Sequence, residues 1–148
     1  MDFMRSMSIS GSALTAERLR LDVIANNIAN ANTTRTAQGG PYRRQTVVFA
    51  PRGEQVQWMF PGMDASKSGE FRGRGVRVVG IAQDSSPFKR MYNPGHPDAD
   101  ASGYVTLPNV NTVTEMVDLM AATRAYEANV AAIGAARQMA QRALEMGK

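Results

Sequence analysis

Residues 112–146 read TVTEMVDLMAATRAYEANVAAIGAARQMAQRALEM. Within this run, Met116, Leu119, Thr123, Tyr126, Val130, Ile133, Arg137, Ala140 and Leu144 are separated by alternating steps of four and three or three and four. Seven of the nine are apolar, which is the stripe of a coiled-coil seam, so the spacing predicts one unbroken helix. At 1.5 Å per residue it would be ~50 Å long. Thr112-Val113-Thr114-Glu115 matches a capping box, with Thr112 capping the first amides and Glu115 reaching back. Ten alanines between Ala121 and Ala143 keep the rod slim, so neighbours can approach closely.

The other end of the chain carries a matching pattern. Met7, Leu14, Leu21 and Ile28 fall seven apart, with Ile24 and Ala25 filling the stripe between them. Seven residues is close to two turns, so these side chains share one narrow helical face. Asn26, Asn27, Asn30 and Asn32 then crowd the end of the segment. Asparagine is a poor helix former that suits helix ends, which predicts a stop by about Asn32. Asn26 and Asn30, four apart, share a face. As a group these amides make a polar helix end, or they hydrogen-bond a neighbouring subunit and fix its register, as a buried Asn does in coiled coils.

Between the helices the punctuation changes. Gly39-Gly40-Pro41, Pro51-Arg52-Gly53, Pro61-Gly62 and Asn93-Pro94-Gly95 break helices. Short β-type runs lie between them at 45–50 (QTVVFA), 76–82 (VRVVGIA) and 88–92 (FKRMY), with 56–60 a weaker candidate. The expected architecture is α+β: two long terminal helices paired as an antiparallel, coiled-coil-like hairpin around a small β-rich middle. The parts are 1–34, the N-terminal helix; 35–108, a basic β-rich region with a thin core of its own; and 109–148, the C-terminal helix. A two-helix hairpin is thin, so burying one seam leaves Val113, Val117, Met120 and the alanine flank open to other subunits.

Charge is unevenly placed in a chain whose net charge is +4. Residues 35–90 hold ten basic side chains against four acidic, so the middle is a basic region distinct from the helices. Arg43, Arg44, Arg72, Arg74 and Arg77 are its candidate contact surface. No stretch approaches the ~20 consecutive apolar residues of a membrane span. The N-terminus lacks the charged and apolar regions of a cleavable secretory signal. The absence of cysteine removes disulfides, thiolate metal sites and thiol nucleophiles together.

Catalysis has little to stand on. The single histidine, His96, lies in a Gly-His-Pro turn, and Asp98 and Asp100 lack the glycine and glutamate of a calcium loop. Gly73-Arg74-Gly75 is not followed by the third glycine of a dinucleotide fingerprint, because position 78 is Val. The reading is therefore of a non-enzyme with no cofactor, metal or small-molecule substrate. The alternative is a basic single-stranded nucleic-acid-binding protein, with Phe49, Trp58, Phe60, Phe71 and Tyr92 as stacking platforms. The aromatics are scattered among turns and no RNP-like motif appears, so no nucleic acid is expected as a partner.

Leu21 to Thr33, LDVIANNIANANT, resembles the N-terminal signature of the flagellar axial proteins. Several runs resemble the basal-body rod family in particular: Gly39 to Arg44 (GGPYRR), Pro94 to Asp100 (PGHPDAD), Pro108 to Asn111 (PNVN) and Arg124 to Val130 (RAYEANV). Thr34-Arg35 follows Asn32-Thr33 where other axial families usually carry a glycine and an aromatic, and this points to the proximal rod. The resemblance implies a structural subunit, exported without signal cleavage by the flagellar type III apparatus and assembled in the periplasm as part of the basal body. Implied partners are copies of itself, other rod proteins, and proteins at the membrane-ring and export-gate junction. Subunit contacts are then expected at Met7, Leu14, Leu21, Ile24, Asn26, Asn27, Ile28, Asn30 and Asn32 of the first helix. The second helix would contribute Met116, Leu119, Met120, Tyr126, Val130, Ile133 and Leu144.

Overall fold

The computed structural model describes residues 3–52 and 73–146. Helix α1 (Phe3–Ala29) leads into strands β1 (Gln45–Pro51), β2 (Val76–Gln83), β3 (Lys89–Tyr92) and β4 (Tyr104–Leu107), and helix α2 (Thr112–Met146) follows. The architecture is α+β, as expected from the two periodic stripes and the turn-rich middle.

Helix α1 stops within its asparagine cluster. The amide nitrogens of Asn30, backbone and side chain, both donate to the Asn26 carbonyl, at 3.1 and 2.9 Å. Thr33 in turn donates its amide to the Asn30 carbonyl at 3.1 Å and its hydroxyl to Asn30 Oδ1 at 3.1 Å, so local polar groups take up carbonyls that the ending helix releases.

The middle forms two separate antiparallel pairs, β1 with β2 and β3 with β4. A bulge between Val48 and Phe49 shifts the first register. Strand β4 was not foreseen: its four residues follow a glycine in a turn-rich run, and four residues carry almost no periodicity. The expected strand at 56–60 lies outside the described residues.

The described part of the middle adds little to the interior. Among the described residues the buried apolar side chains are Ala16, Val23 and Ile24 of α1, Val105 of β4, Pro108, Val110, and Ala122 and Ala136 of α2. Strands β1 and β2 contribute none at that depth, and a lone two-stranded hairpin is marginal in water. They gain support by lying on α1, which both strands contact. Close approach depends on Gly75, which has φ +96° and sits against the helix; a Cβ there would lie 2.3 Å from Ser12 Oγ. Ser12 Oγ accepts from the Val76 amide at 3.0 Å and donates to the Ile9 carbonyl at 2.7 Å, stitching strand to helix.

Helices α1 and α2 make the most extensive contact between any two elements. The buried line of α2 is shifted by one residue from the predicted seam at alternate positions. Leu119, Tyr126, Ile133 and Ala140 are half-buried as the stripe requires, but Met116 and Val130 are exposed, and Glu115, Ala122 and Ala136 are buried in place of Met116, Thr123 and Arg137. Ala122 and Ala136 let the two backbones come closer than Thr123 or Arg137 would, whereas Glu115 is held inward by its bonds to Asn27 and Arg44.

The start of α2 is also corrected. Asn111, not Thr112, is the cap: its Oδ1 accepts the Val113 amide at 3.1 Å, and its carbonyl takes the Glu115 amide at 2.9 Å. Glu115 does not reach back along the helix; it turns into the interior.

Candidate functional site

Two features of the molecule ask for a functional explanation: a buried polar cluster where α1, β1 and α2 meet, and an exposed apolar patch at the start of α2.

Glu115 and Asn27 are each 1% exposed. Glu115 Oε1 accepts from Arg44 Nε at 2.5 Å, and Oε2 accepts from Asn27 Nδ2 at 3.0 Å. The Asn27 amide is fully used. It also donates to the Gln45 carbonyl at 2.8 Å, while its Oδ1 accepts the Gln45 amide at 3.0 Å and the Tyr42 hydroxyl at 2.9 Å. Two donors and two acceptor sites are all that a side-chain amide has. Exchanging both bonds with one backbone residue makes Asn27 a stand-in for a neighbouring strand. Asn109 acts similarly, accepting the Arg44 amide at 2.8 Å and donating to the carbonyls of Asp84 and Ser86.

The Arg44 guanidinium reaches two further carboxylates, Asp118 at 3.4 Å and Asp84 at 3.7 Å. Its hydrogen bond to Glu115 holds its pKa above the ordinary value, against the opposing effect of burial. Burial, followed by the nearby Glu115 charge, pushes the Tyr42 hydroxyl up as well. Asp84 is held below the usual carboxylate value, mainly by hydrogen bonds from the Ser86 hydroxyl and amide.

The candidate basic surface is therefore narrower than the composition implied. Arg44 is turned inward, and Arg43 donates to the Asp84 carbonyl at 2.8 Å and lies over the Phe88 ring at 4.3 Å. Both serve internal packing, because each finds an oxygen or a ring on a neighbouring segment. Arg74 and Arg77 are exposed, and Arg72 lies outside the described residues. Of the supposed stacking platforms, Phe49 and Tyr92 are exposed, Tyr92 packing edge-on against Tyr104 at 5.3 Å, while Trp58, Phe60 and Phe71 lie outside the described residues.

Among the α1 residues expected at subunit contacts, Met7, Leu14, Leu21 and Ile28 are half-buried and Ile24 is buried. Asn26 and Asn32 are exposed, and Asn30 bonds back to Asn26 Oδ1 at 2.8 Å. Asn27, expected at a subunit contact, is taken up inside its own chain. On α2 the exposed large apolar side chains are Val113, Met116, Val117, Met120, Val130, Met139, Leu144 and Met146, between 47% and 82% exposed, and the first four cluster within two turns. Leu119, Tyr126 and Ile133 are half-buried.

The buried cluster was missed from sequence because its members are 27, 44 and 115, far apart along the chain, and a mid-sequence glutamate reads as a helix surface or a cap. The one available signal was an acidic residue interrupting the apolar approach to α2, opposite an asparagine-rich helix end.

Residues 7–35 match the family model described as flagella basal body rod protein, and residues 101–146 match the one described as flagellar basal body rod FlgEFG protein C-terminal. The two matches fall on the terminal helices and define the class as that of a structural subunit of the flagellar rod. The chain is 50% identical to the flagellar basal-body rod protein FlgC of Borreliella burgdorferi over 97% of each chain. It is 46% identical to FlgC of Bacillus subtilis over 97% of each, and 40% identical to FlgC of Escherichia coli O157:H7 over the whole of both. The chain belongs to the FlgC family of flagellar basal-body rod proteins.

Proposed function

We propose that this subunit builds the proximal part of the rod, pairing its terminal helices and presenting the uncovered face of α2 to neighbouring copies and to other rod proteins. The exposed apolar patch of Val113, Met116, Val117 and Met120 at the start of α2 carries the reading, because clustered side chains of this kind belong against a partner. On this reading α1 and α2 pair antiparallel, as a coiled-coil-like hairpin. Asn27 lies opposite Glu115, so the start of α1 falls near position 139, and α2 overhangs it by roughly 10 Å at 1.5 Å per residue. The uninterrupted exposure of residues 141–146 supports that alignment.

The helices 1–34 and 109–148 form the inner layer and 35–108 the outer one, with Arg74 and Arg77 as its basic contacts. The assembled rod lies in the periplasm and transmits torque. The export apparatus and the proteins at the membrane-ring junction are its further partners.

The test is a paired substitution, Met116→Asp with Met120→Asp. Both side chains are more than half exposed, so the isolated chain should keep its stability to about 0.5 kcal/mol. Two carboxylates placed in a subunit interface should abolish rod assembly and swimming. Normal swimming in cells carrying both changes sinks the assignment of this face.

A further inference from the structure

We propose that the Asn27–Glu115–Arg44 cluster is a register lock. It fixes the axial alignment of α1 against α2 and pins the β1–β2 pair to that alignment. The proposal rests on the antiparallel pairing above, and it concerns what selects one alignment from several.

The remaining contacts between the helices are poor at selection. The inward line of α2 beyond the cluster is Ala122, Tyr126, Asn129, Ile133, Ala136 and Ala140. On α1 the deepest residues are Ser12, Ala16, Val23 and Ile24 beside Asn27. Three alanines in the six α2 positions leave Tyr126 and Ile133 as the large apolar knobs among them. A slide by one turn is therefore opposed by few large side chains along this line.

The polar cluster behaves differently. A slip of α1 by one turn, about 5.4 Å, breaks the bond from Asn27 to Glu115. It leaves Glu115 Oε2 and the Asn27 amide, both on side chains 1% exposed, without each other, while Arg44, held by Asn109 and Asp118, stays with Glu115. A buried polar group left without its partner carries the full cost of its lost hydration. With both groups stranded, the discrimination against a slipped alignment is on the order of a hundredfold. Because the Asn27 amide also exchanges two bonds with the Gln45 backbone, the slip would pull β1 out of place with the helix. Helix alignment and sheet position are thus held by one side chain. A buried ion pair gives this selectivity without a net gain in stability, since apolar side chains of similar volume fill such a site about as well or better.

The chain has no cysteine, so two can be introduced as sole labelling sites. Nitroxides at Arg18→Cys and Arg137→Cys, both exposed and well separated along the helix axes, report alignment by pulsed electron–electron distance measurement on the full-length chain. The parent is expected to give one narrow distance. Glu115→Gln, and the apolar triple N27L/E115L/R44M, should each add a second population displaced by about 5 Å, in a tenth or more of the molecules. The triple should remain helical by circular dichroism and unfold at an equal or higher urea concentration. A single unchanged distance in both variants overturns the proposal. Loss of helix in the triple overturns it as well, since the cluster would then supply stability and not alignment. The measurement needs no assembly, so its failure is separate from a failure of the rod-contact reading, which swimming reports.

Discussion

Replacing Arg44 by Met tests the interior electrostatics most directly. The change keeps an unbranched apolar stem of similar reach and removes the guanidinium. Three contacts disappear, and they are unequal. The bond from Nε to Glu115 at 2.5 Å is charge-assisted and reaches an oxygen on a residue that is 1% exposed, so it carries most of the effect, about 1.5–3 kcal/mol. The contacts to Asp118 at 3.4 Å and Asp84 at 3.7 Å involve partly exposed carboxylates that solvent screens, and they add little. The variant also leaves Glu115 charged and buried with Asn27 as its remaining bonded donor in the cluster, which brings the expected loss to about 3–5 kcal/mol. The assay is urea unfolding followed by far-ultraviolet circular dichroism, for R44M, for E115L and for the double variant. Most of the R44M loss should return in R44M/E115L, giving a coupling of about 2–4 kcal/mol in the cycle. An R44M loss below about 1 kcal/mol, or additive effects in the double variant, would refute the account of Glu115 as a buried charge held by Arg44.

Two further outcomes follow from the same geometry. Gly75→Ala places a methyl group 2.3 Å from Ser12 Oγ at φ +96°, so it should lower stability by about 2–4 kcal/mol, while Gly73→Ala, whose Cβ meets nothing within 4 Å, should be close to neutral. Asp84 and Asp100 both have folded-state pKa values below the ordinary carboxylate value, Asp84 through hydrogen bonds from Ser86 and Asp100 through those from the Tyr104 and Ser102 amides. The stability they contribute is present above the unfolded-state value and is lost as pH falls through the lowered folded-state values. Urea midpoints measured down the acid limb should show this fall, and Asp100→Asn should flatten it. An acid limb unchanged by that substitution would remove Asp100 from the account.

The α+β class, the two long helices and the positions of three of the four strands follow from local pattern. A seven-residue apolar stripe, a run of alanines and a cluster of Gly-Pro turns act within a few residues of one another, and helix and strand propensities are local in the same way. The family was legible too, because runs such as LDVIANNIANANT are short and contiguous.

What the tertiary structure alone decided is which side of each helix faces inward and what the polar residues are for. The α2 stripe predicted Met116 and Val130 inside; the folded chain puts Glu115, Ala122 and Ala136 there, the alanines because close backbone approach favours the smallest side chains and Glu115 because Asn27 and Arg44 bond it. Glu115 looked like half of a capping box, and Arg44 like part of a basic surface. Each was assigned by its sequence neighbours, yet each is governed by a group some seventy to ninety residues away: Arg44 by Glu115, and Glu115 by Asn27. A charge can be read as surface or as interior only when its counter-charge is located, and that location is fixed by how the helices and β1 come together, not by anything near it in the chain.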